Sequence, residues 1–231
     1  MSWRASVLTL FPDMFPGPLG QSLLGKGIAN NLWSLEVRDI RDHGLGKHRT
    51  VDDTPAGGGP GMVMRADVAA AAVDALERAG RPLIYLSPRG KPLTQARVQE
   101  LAQGPGVILF CGRFEGLDER AIEARGMEEI SLGDFVLAGG EIAAMALIET
   151  AVRLIPGVLG DAASPEEESF SGGLLEYPQY TRPQLFEERP IPDVLNSGNH
   201  GEISNWRLKM RQSLTKARRP DLWALFEKRK P

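Results

Sequence analysis

The first two thirds of the chain alternate between short apolar runs and segments whose apolar residues recur at helical spacing. The runs at Ser6–Phe11, Leu83–Ser87 and Val107–Cys111 are of strand length and predict buried strands. Strands that alternate with helices indicate a mostly parallel sheet with right-handed crossovers, so the pattern predicts an α/β fold. Further strands are expected near 35–39 and 129–132, and helices near 19–30, 66–79, 94–103, 118–124 and 141–155.

Two regions, residues 41–64 and 156–200, show no sustained period. The first is rich in glycine, and a loop of this length inside a compact domain is usually functional or disordered. The second is rich in Pro, Gly and Glu and is predicted to be a linker continued by a loop. Beyond it, Trp206, Met210 and Leu214 fall on one face of a helix, which predicts a small helical module at the end of the chain.

The net charge of −3 conceals a strong polarity along the chain. Residues 203–231 carry nine Lys or Arg and two Asp or Glu, which leaves 18 and 28 respectively in residues 1–202. A basic module on an acidic body is typical of a protein that binds a polyanion. A solvated helix face explains such a charge run equally well, so the charge alone leaves both interpretations open.

Composition excludes several classes of protein. A hydrophobic content of 42% and a charged content of 25% are ordinary for a globular domain, and no apolar run approaches the roughly 20 residues of a membrane span. The N-terminus does not have the pattern of a signal peptide. A single cysteine, Cys111, rules out an internal disulfide or a cysteine-rich zinc site, and we expect it to be a small buried residue.

Three predicted strands end in loops built from small residues, namely Ser87–Gly90, Cys111–Arg113 and Leu132–Gly140. Ligands of parallel sheets bind beyond the carboxyl ends of the strands, and glycine lets backbone groups approach a ligand closely. A single glycine loop of this kind more often only makes a tight turn. Three in succession favour a shared pocket.

Two motifs bear on which ligand the chain binds. Gly20–Lys26 matches the start of a P-loop, but Gly27 replaces the Ser or Thr that would bind magnesium, so we do not expect a nucleoside triphosphate site. No G-x-G-x-x-G follows the first strand, so a Rossmann dinucleotide site is not supported. The glycine-rich stretch Thr54–Gly61, which follows the basic Lys47–Arg49, suits a loop that closes over a polyanion, although a disordered loop is the alternative.

Longer motifs recur in one order along nearly the whole chain. They are HRTVDD (His48–Asp53), GGGPGM (Gly57–Met62), IYLSP (Ile84–Pro88), CGRFEG (Cys111–Gly116), GDFVLAGGE (Gly133–Glu141), IPGVLG (Ile155–Gly160), YTRP (Tyr180–Pro183), SGNH (Ser197–His200) and the basic segment that begins at Trp206. Together they resemble the TrmD-type tRNA (guanine-N1)-methyltransferases of the SPOUT superfamily. The resemblance implies an α/β, SPOUT-type parallel sheet with a C-terminal trefoil knot in the cofactor domain, plus a small helical C-terminal domain.

The resemblance also implies an organisation and a function. Residues 1–160 would form an S-adenosylmethionine-binding SPOUT domain, 161–175 an interdomain linker and 176–231 a helical tRNA-binding domain. The implied enzyme transfers a methyl group from S-adenosylmethionine to N1 of the guanosine 3′-adjacent to the anticodon, tRNA position 37. It would act in the cytoplasm as a homodimer, on tRNA rather than DNA, with no membrane partner.

The family's cofactor site maps onto the three small-residue loops. By resemblance, they hold S-adenosylmethionine, with backbone groups around the adenine and Glu115 near the polar end. Members of the family are described as needing Mg²⁺, but no cluster of ligands in the sequence locates a metal site. The residues expected to bind the cofactor are Tyr85, Leu86, Ser87, Pro88, Gly112, Glu115, Gly116, Leu132, Gly133, Phe135, Val136, Leu137, Gly139 and Gly140.

N1 of guanine carries a proton near pH 7, so its methylation needs a base and a cation or donor to hold the charge that develops on O6. The family places an arginine before IPGVLG, which is Arg153 here. A surface pair with Glu149 at i,i+4 is the other explanation for Arg153. We expect Arg153 to share a packed helix face with Ile142 and Ala146, which favours the catalytic role.

The base departs from the family pattern. The family carries an aspartate before Ser-Phe in the linker, and Glu168 takes that place here. The carboxylate is retained on a side chain one methylene longer, and a misplacement of ~1 Å can cost on the order of 100-fold in rate. A non-catalytic RNA-binding relative is therefore the competing hypothesis.

Basic residues are the candidates for contact with tRNA. Such side chains contact phosphates and make binding dependent on salt without reading the sequence. The target base must also leave its stack to reach the methyl donor. The candidates are His48, Arg49, Arg207, Lys209, Arg211, Lys216, Arg218 and Arg219.

Overall fold

The computed structural model describes residues 2–159 and 168–229 of the chain. Contacts between residues divide it into two compact units, residues 1–160 and 161–231. Among the described residues, no helix is long and apolar enough to cross a membrane.

A parallel β-sheet forms the centre of the first unit. Its strands are β1 (Trp3–Thr9), β2 (Trp33–Asp39), β5 (Leu83–Pro92), β6 (Gly106–Cys111) and β7 (Glu128–Ser131), and two short strands outside it are β3 (Asp52–Asp53) and β4 (Val63–Met64). The sheet order is β2-β1-β6-β5-β7, and each neighbouring pair runs parallel. The α/β fold with a parallel sheet, predicted from the hydrophobic pattern, is confirmed.

Helices cover both faces of this sheet. They are α1 (Ser22–Ala29), α2 (Ala66–Asp74), α3 (Gln95–Gln103), α4 (Glu119–Arg125) and α5 (Glu141–Val152). Apolar residues of α3 and α5 pack in one core cluster, and those of α2 and α4 pack in another. Each helix therefore buries its apolar stripe against one side of the sheet, which is the usual layering of an α/β domain.

Strand β6 shows why the apolar runs predicted strands correctly. Val107, Leu109 and Cys111 belong to one core cluster, whereas Ile108 and Phe110 belong to the other. Successive side chains of a strand point to opposite faces, and helices cover both faces here, so every position is apolar. All six residues of β6 are buried.

Several predicted boundaries move in the structure. Helix α2 ends at Asp74 rather than near Ala79, and Ala79 and Gly80 have positive φ angles of 46° and 76°. The region 41–64, predicted to be a loop, contains the antiparallel pair of β3 and β4. Strands of two residues are too short to give a readable alternation, so the sequence pattern could not indicate them.

The P-loop-like segment forms helices rather than a phosphate-binding loop. Gly17–Gly20 is a short 3-10 helix, and α1 follows it directly. Gly25 packs against the carbonyl group of Gly20 so closely that a Cβ atom at Gly25 would overlap it. The glycines of this segment serve helix packing.

The second unit contains two consecutive helices, α6 (His200–Arg218) and α7 (Pro220–Lys228), and a short antiparallel pair, β8 (Leu185–Phe186) with β9 (Arg189–Pro190). The Asn199 side chain accepts hydrogen bonds from the backbone N–H groups of Gly201 and Glu202 and so caps α6. Pro220 lacks an N–H group, which suits the first turn of α7 and separates the two helices.

Thr215 fastens the segment before these helices to α6. The Thr215 side chain is fully buried, accepts a hydrogen bond from Leu175 N at 2.8 Å and donates one to Arg211 O at 2.7 Å. Arg211 Nε also donates to Leu175 O at 3.2 Å. The backbone near Leu175 is therefore bonded on both its N–H and C=O groups to side chains of α6.

Candidate functional site

A cavity of about 410 Å³ lies at the carboxyl ends of β5, β6 and β7. This edge of a parallel sheet is the usual place for a ligand, and the volume lies within the range of small-molecule sites. The cavity wall combines the end of β5 with the loop after β6 and the loop between β7 and α5. The loop predicted at Ser87–Gly90 is wrong, because these residues lie inside β5, where the pairing with β7 shifts register between Leu86 and Lys91. Ser87, Pro88 and Arg89 nevertheless line the same cavity as residues of the other two small-residue loops.

Of the fourteen residues expected to bind the cofactor, all except Gly133 line this cavity. Gly133 instead shapes the third loop, because its N–H donates to Ser131 Oγ at 3.1 Å and its carbonyl group accepts from Phe135 N at 2.9 Å. The lining residues among them are Tyr85, Leu86, Ser87, Pro88, Gly112, Glu115, Gly116, Leu132, Phe135, Val136, Leu137, Gly139 and Gly140.

Gly140 lets the third loop meet the second backbone to backbone, and Gly112 lets the second loop lie against the Tyr85 ring. A Cβ atom on Gly140 would lie 2.8 Å from Cys111 Cα, and one on Gly112 would lie 2.7 Å from Cε2 of the Tyr85 ring. Both separations are shorter than real Cβ contacts. Gly140 N also donates to Gly112 O at 3.0 Å. Small size, rather than an unusual φ, is what these positions require, since Gly140 has a φ of −77°.

Tyr85 forms a rigid wall of the cavity. Its ring is nearly buried and meets the Phe110 ring edge-on, with centroids 6.1 Å apart. Burial raises the pKa of the Tyr85 phenol above its ordinary value. The phenol therefore stays protonated at neutral pH and can donate or accept a hydrogen bond at the pocket.

The glycine-rich segment Gly57–Met62 borders the same site. Glu115 N donates to Met62 O at 2.9 Å, and Met64 N donates to Gly116 O at 2.9 Å. A Cβ atom on Gly61 would overlap the Glu115 side chain. The long loop predicted to be functional or disordered is thus packed against the second cofactor loop.

Sequence reasoning missed a charged group behind the pocket. Glu141 is 1% exposed and forms an ion pair with Arg113, with 2.8 Å between Arg113 Nη2 and Glu141 Oε2. Thr9 Oγ1 donates to Glu141 Oε1 at 2.7 Å. The sequence feature that could have indicated this pair is the position of Arg113 and Glu141 inside glycine-rich motifs, where a charged residue stands among small ones.

Comparison with known proteins then assigns the chain to a family. The family model described as tRNA (Guanine-1)-methyltransferase TrmD matches residues 3–225. The chain belongs to this family. Curated relatives named tRNA (guanine-N(1)-)-methyltransferase are 68% identical in Rhodopseudomonas palustris, 66% in Nitrobacter winogradskyi and 62% in Mesorhizobium japonicum. These alignments cover 97%, 97% and 96% of this chain and 91%, 94% and 97% of the relatives.

The two candidate catalytic residues of this TrmD-family chain lie in different units. Arg153 is half-buried and follows the last turn of α5, where its N–H donates to Glu149 O at 3.0 Å. Glu168 is half-buried and begins the described part of the second unit. The packed face expected for Arg153 is wrong within a single chain, because Ile142 is 53% exposed. Ile142 lies in the first turn of α5, beside the exposed third loop.

The candidate RNA-binding residues differ in their surroundings. His48 and Arg49 lie exposed in the loop before β3, and Arg49 pairs with Asp42 at 3.3 Å. On α6, Lys209, Lys216 and Arg218 are exposed.

The remaining arginines of the basic segment contact other residues of the second unit. The Arg207 guanidinium stacks over the Tyr177 ring at 4.7 Å, and Arg219 pairs with Asp221 at 2.6 Å. Arg211 is bonded to Leu175. Arg207 and Arg211, expected to contact tRNA, are thus engaged with residues that lie about 30 or more positions earlier in the chain.

A metal site is not marked by the described residues. Across residues 2–159 and 168–229, no three His, Cys, Asp or Glu side chains come together in a way that could hold an ion.

Cys111 is predicted to be chemically inert in the folded chain. Its thiol is fully buried, and burial together with the nearby Glu141 carboxylate raises its pKa well above the ordinary value. A maleimide should label Cys111 only after unfolding. Because the thiol ionises more easily in the unfolded chain, the free energy of unfolding should fall as the pH rises above about 8.5, the ordinary pKa of a thiol.

The Cys111→Ala variant is the control for this pH dependence, since it has no thiol to ionise. Its free energy of unfolding should decline less steeply between pH 8.5 and 10 than that of the unmodified chain. Rapid labelling of folded protein near pH 8 would show that the thiol is accessible and would contradict the prediction.

Proposed function

We propose that this chain is an S-adenosylmethionine-dependent tRNA (guanine-N1)-methyltransferase that acts on the guanosine 3′-adjacent to the anticodon, position 37. The observation that carries the proposal is the single cavity at the sheet edge, lined by thirteen residues that the family resemblance implies for the cofactor. Family membership and relatives of that name at 61–68% identity support the same activity.

The cavity fits a nucleoside-based cofactor. Leu137 and Ala138 give an apolar border for a base, while the N–H and C=O groups of the third loop can read its polar edge. Glu115 provides a carboxylate for the ammonium group of the methionine part. When bound, S-adenosylmethionine supplies an electrophilic methyl group. The buried Tyr85 ring excludes water from the part of the pocket that it lines.

Transfer to N1 requires removal of a proton and stabilisation of charge on O6. Glu168 is assigned as the base that takes the N1 proton, because it holds the position of the family aspartate. Arg153 is assigned to O6, where a guanidinium can donate hydrogen bonds and carry the opposite charge. Neither step needs a covalent intermediate, which agrees with an inert Cys111.

The proposed assembly is a homodimer. Support comes from an apolar surface on the third loop and the first turn of α5, where Phe135, Val136 and Ile142 are 55%, 82% and 53% exposed. Clustered apolar side chains of this size usually mark an interface. A second copy over this surface would also close the open side of the cofactor cavity.

The cofactor region is proposed to be a trefoil knot. Support comes from the close approach of two of its chain segments, since Gly140 lies against Cys111 so tightly that a Cβ atom at Gly140 would overlap it. Knotted segments must pass one another at this kind of separation.

Residues 161–175, of which 161–167 lie outside the described residues, are proposed as the interdomain linker, and 176–231 as a helical tRNA-binding domain of a cytoplasmic enzyme. The exposed Lys209, Lys216 and Arg218 on α6 support binding to tRNA phosphates. A requirement for Mg²⁺ is proposed because members of the family are described as needing it. The ion can bind to the substrates as well as to the protein.

Replacement of Glu168 tests the chemistry. We predict that Glu168→Gln lowers the rate of methyl transfer to tRNA by about 100-fold or more, because an amide cannot take the N1 proton. Transfer of labelled methyl groups to tRNA with guanosine at position 37 is the measurement. Binding of S-adenosylmethionine should be unchanged.

Glu168→Asp is the matched control and should keep substantial activity, since it restores the family's own carboxylate. Equal rates for Glu168→Gln and the unmodified chain would remove Glu168 as the base. Binding of tRNA and cofactor without any transfer by the unmodified chain would instead identify a non-catalytic relative.

Neutralising exposed cations of α6 tests the RNA surface. The pair Lys209→Gln and Arg218→Gln should weaken tRNA binding, and the slope of log K against log salt should fall by about 0.7–0.9 per lost phosphate contact. Filter binding at several salt concentrations measures both quantities. Lys26→Gln, an exposed position on α1, is the control and should leave the slope unchanged.

A further inference from the structure

A buried ion pair ties the second cofactor loop to the third. Arg113 belongs to the loop after β6, and Glu141 is the first residue of α5, directly after the third loop. Two contacts join them: Arg113 Nη2 lies 2.8 Å from Glu141 Oε2, and Arg113 Nε lies 3.2 Å from Glu141 Oε1. The Nε contact is a hydrogen bond and the Nη2 contact is an ion pair without hydrogen-bond geometry, so the planar guanidinium faces both oxygens of the carboxylate but is hydrogen-bonded to Oε1.

Arg113 also supports the third loop directly. Its Nη1 donates to Ala138 O at 3.3 Å. Gly139 lies flat against the guanidinium, and a Cβ atom at Gly139 would overlap it. The Arg113 side chain therefore fixes the position of the third-loop backbone at Ala138 and Gly139, both of which line the cavity.

The pair is anchored from the sheet. Thr9, the last residue of β1, is fully buried and donates to Glu141 Oε1 at 2.7 Å. The Phe11 ring stacks on the outer face of the Arg113 guanidinium, with 4.2 Å between the Arg113 Cζ atom and the ring centroid. The guanidinium is thus held on its edge by Glu141 and on its face by Phe11.

Removing the charges of Arg113 and Glu141 from water costs free energy. Glu141 is 1% exposed, and the Arg113 side chain is 20% exposed. An ion pair removed from water gives little net stability to a fold, and an apolar pair of the same shape often serves as well. Its position between two ligand-binding loops suggests a use other than stability.

We propose that Arg113, Glu141 and Thr9 form a positioning relay that sets the Ala138–Gly140 backbone at the spacing the cofactor requires. Arg113 faces the cavity, whereas Thr9 and Glu141 lie outside its lining and act through Arg113. The relay rests on the proposed function, because the ligand it serves is S-adenosylmethionine. It extends that function to residues that need not touch the ligand.

Calorimetric binding of S-adenosylmethionine to the full chain and to Thr9→Val and Glu141→Gln tests the relay. Both substitutions keep the shape of the side chain and remove one partner. The affinity should fall about 10-fold in Glu141→Gln and a few-fold in Thr9→Val, with tRNA affinity unchanged. Amide hydrogen exchange at Ala138–Gly140 should become faster in both variants.

Arg113→Lys probes the geometry of the relay. Lysine keeps the charge but has one donor centre, so it cannot meet both Glu141 oxygens and Ala138 O together. Because both residues act through one contact, Arg113→Lys combined with Glu141→Gln should lose no more affinity than the more damaging single change. Independent, multiplying losses would contradict the relay.

Arg81→Lys separates positioning from general destabilisation. Arg81 is 4% exposed and donates to Ser6 Oγ at 2.7 Å. Ser6 lies on β1, as does Thr9, but neither Arg81 nor Ser6 lines the cavity. It should lower the melting temperature without weakening cofactor binding. An equal loss of affinity in Arg81→Lys at equal loss of stability would overturn the relay.

Two further outcomes distinguish failure of the relay from failure of the proposed function. If the unmodified chain binds S-adenosylmethionine and both Thr9→Val and Glu141→Gln bind it equally well, the relay is wrong and the proposed function stands. If the unmodified chain itself fails to bind S-adenosylmethionine, the proposed function and the relay fail together. Thr9→Val is the mildest change and keeps the test decisive should Glu141→Gln fold poorly.

Discussion

The close contact of the Gly140 backbone with Cys111 and Gly112 is the constraint on which the site depends. Strand β5 and the loops that follow β6 and β7 border one pocket, and the two loops reach it together because they meet without intervening side chains. The Gly140 N–H bonded to Gly112 O closes that contact. Close packing leaves no room for adjustment, since protein interiors are as dense as organic crystals. The same residues that shape the ligand site therefore also decide whether α5 can reach the sheet.

Charged side chains fix the relative position of the two loops that the glycines allow to meet. The ion pair of Arg113 with the buried Glu141 spans the two loops, and Thr9 connects it to β1. A buried pair contributes little net stability, so its value lies in fixing geometry. The second unit uses cations differently: Arg207 and Arg211 are engaged with its own segments, while Lys209 and Arg218 face outward. Position in the fold, rather than residue type, separates the structural cations from those offered to a polyanion.

The sequence predicted the sheet well because β6 and its neighbours are buried on both faces, which leaves a nearly unbroken apolar run. It also located the pocket, because three small-residue segments in succession after predicted strands favour a shared pocket although one alone more often makes only a tight turn. It could not predict the β3–β4 pair, which is too short to alternate, or the early end of α2 at Asp74, which tertiary packing decides. The Glu141 relay was missed because its three members lie far apart in sequence. Periodicity also misjudged Ile142, which is apolar yet exposed.

Binding of S-adenosylmethionine to Gly140→Ala, compared with Gly104→Ala, tests the central constraint most directly. Both glycines have ordinary negative φ angles, so an added methyl group acts through space alone. At Gly104 the new Cβ atom would lie 3.5 Å from Leu101 O, an ordinary contact, whereas at Gly140 it would lie 2.8 Å from Cys111 Cα. Gly140→Ala should weaken binding of S-adenosylmethionine by about 10-fold or more, while Gly104→Ala should bind it normally. Equal affinities in the two variants would contradict it.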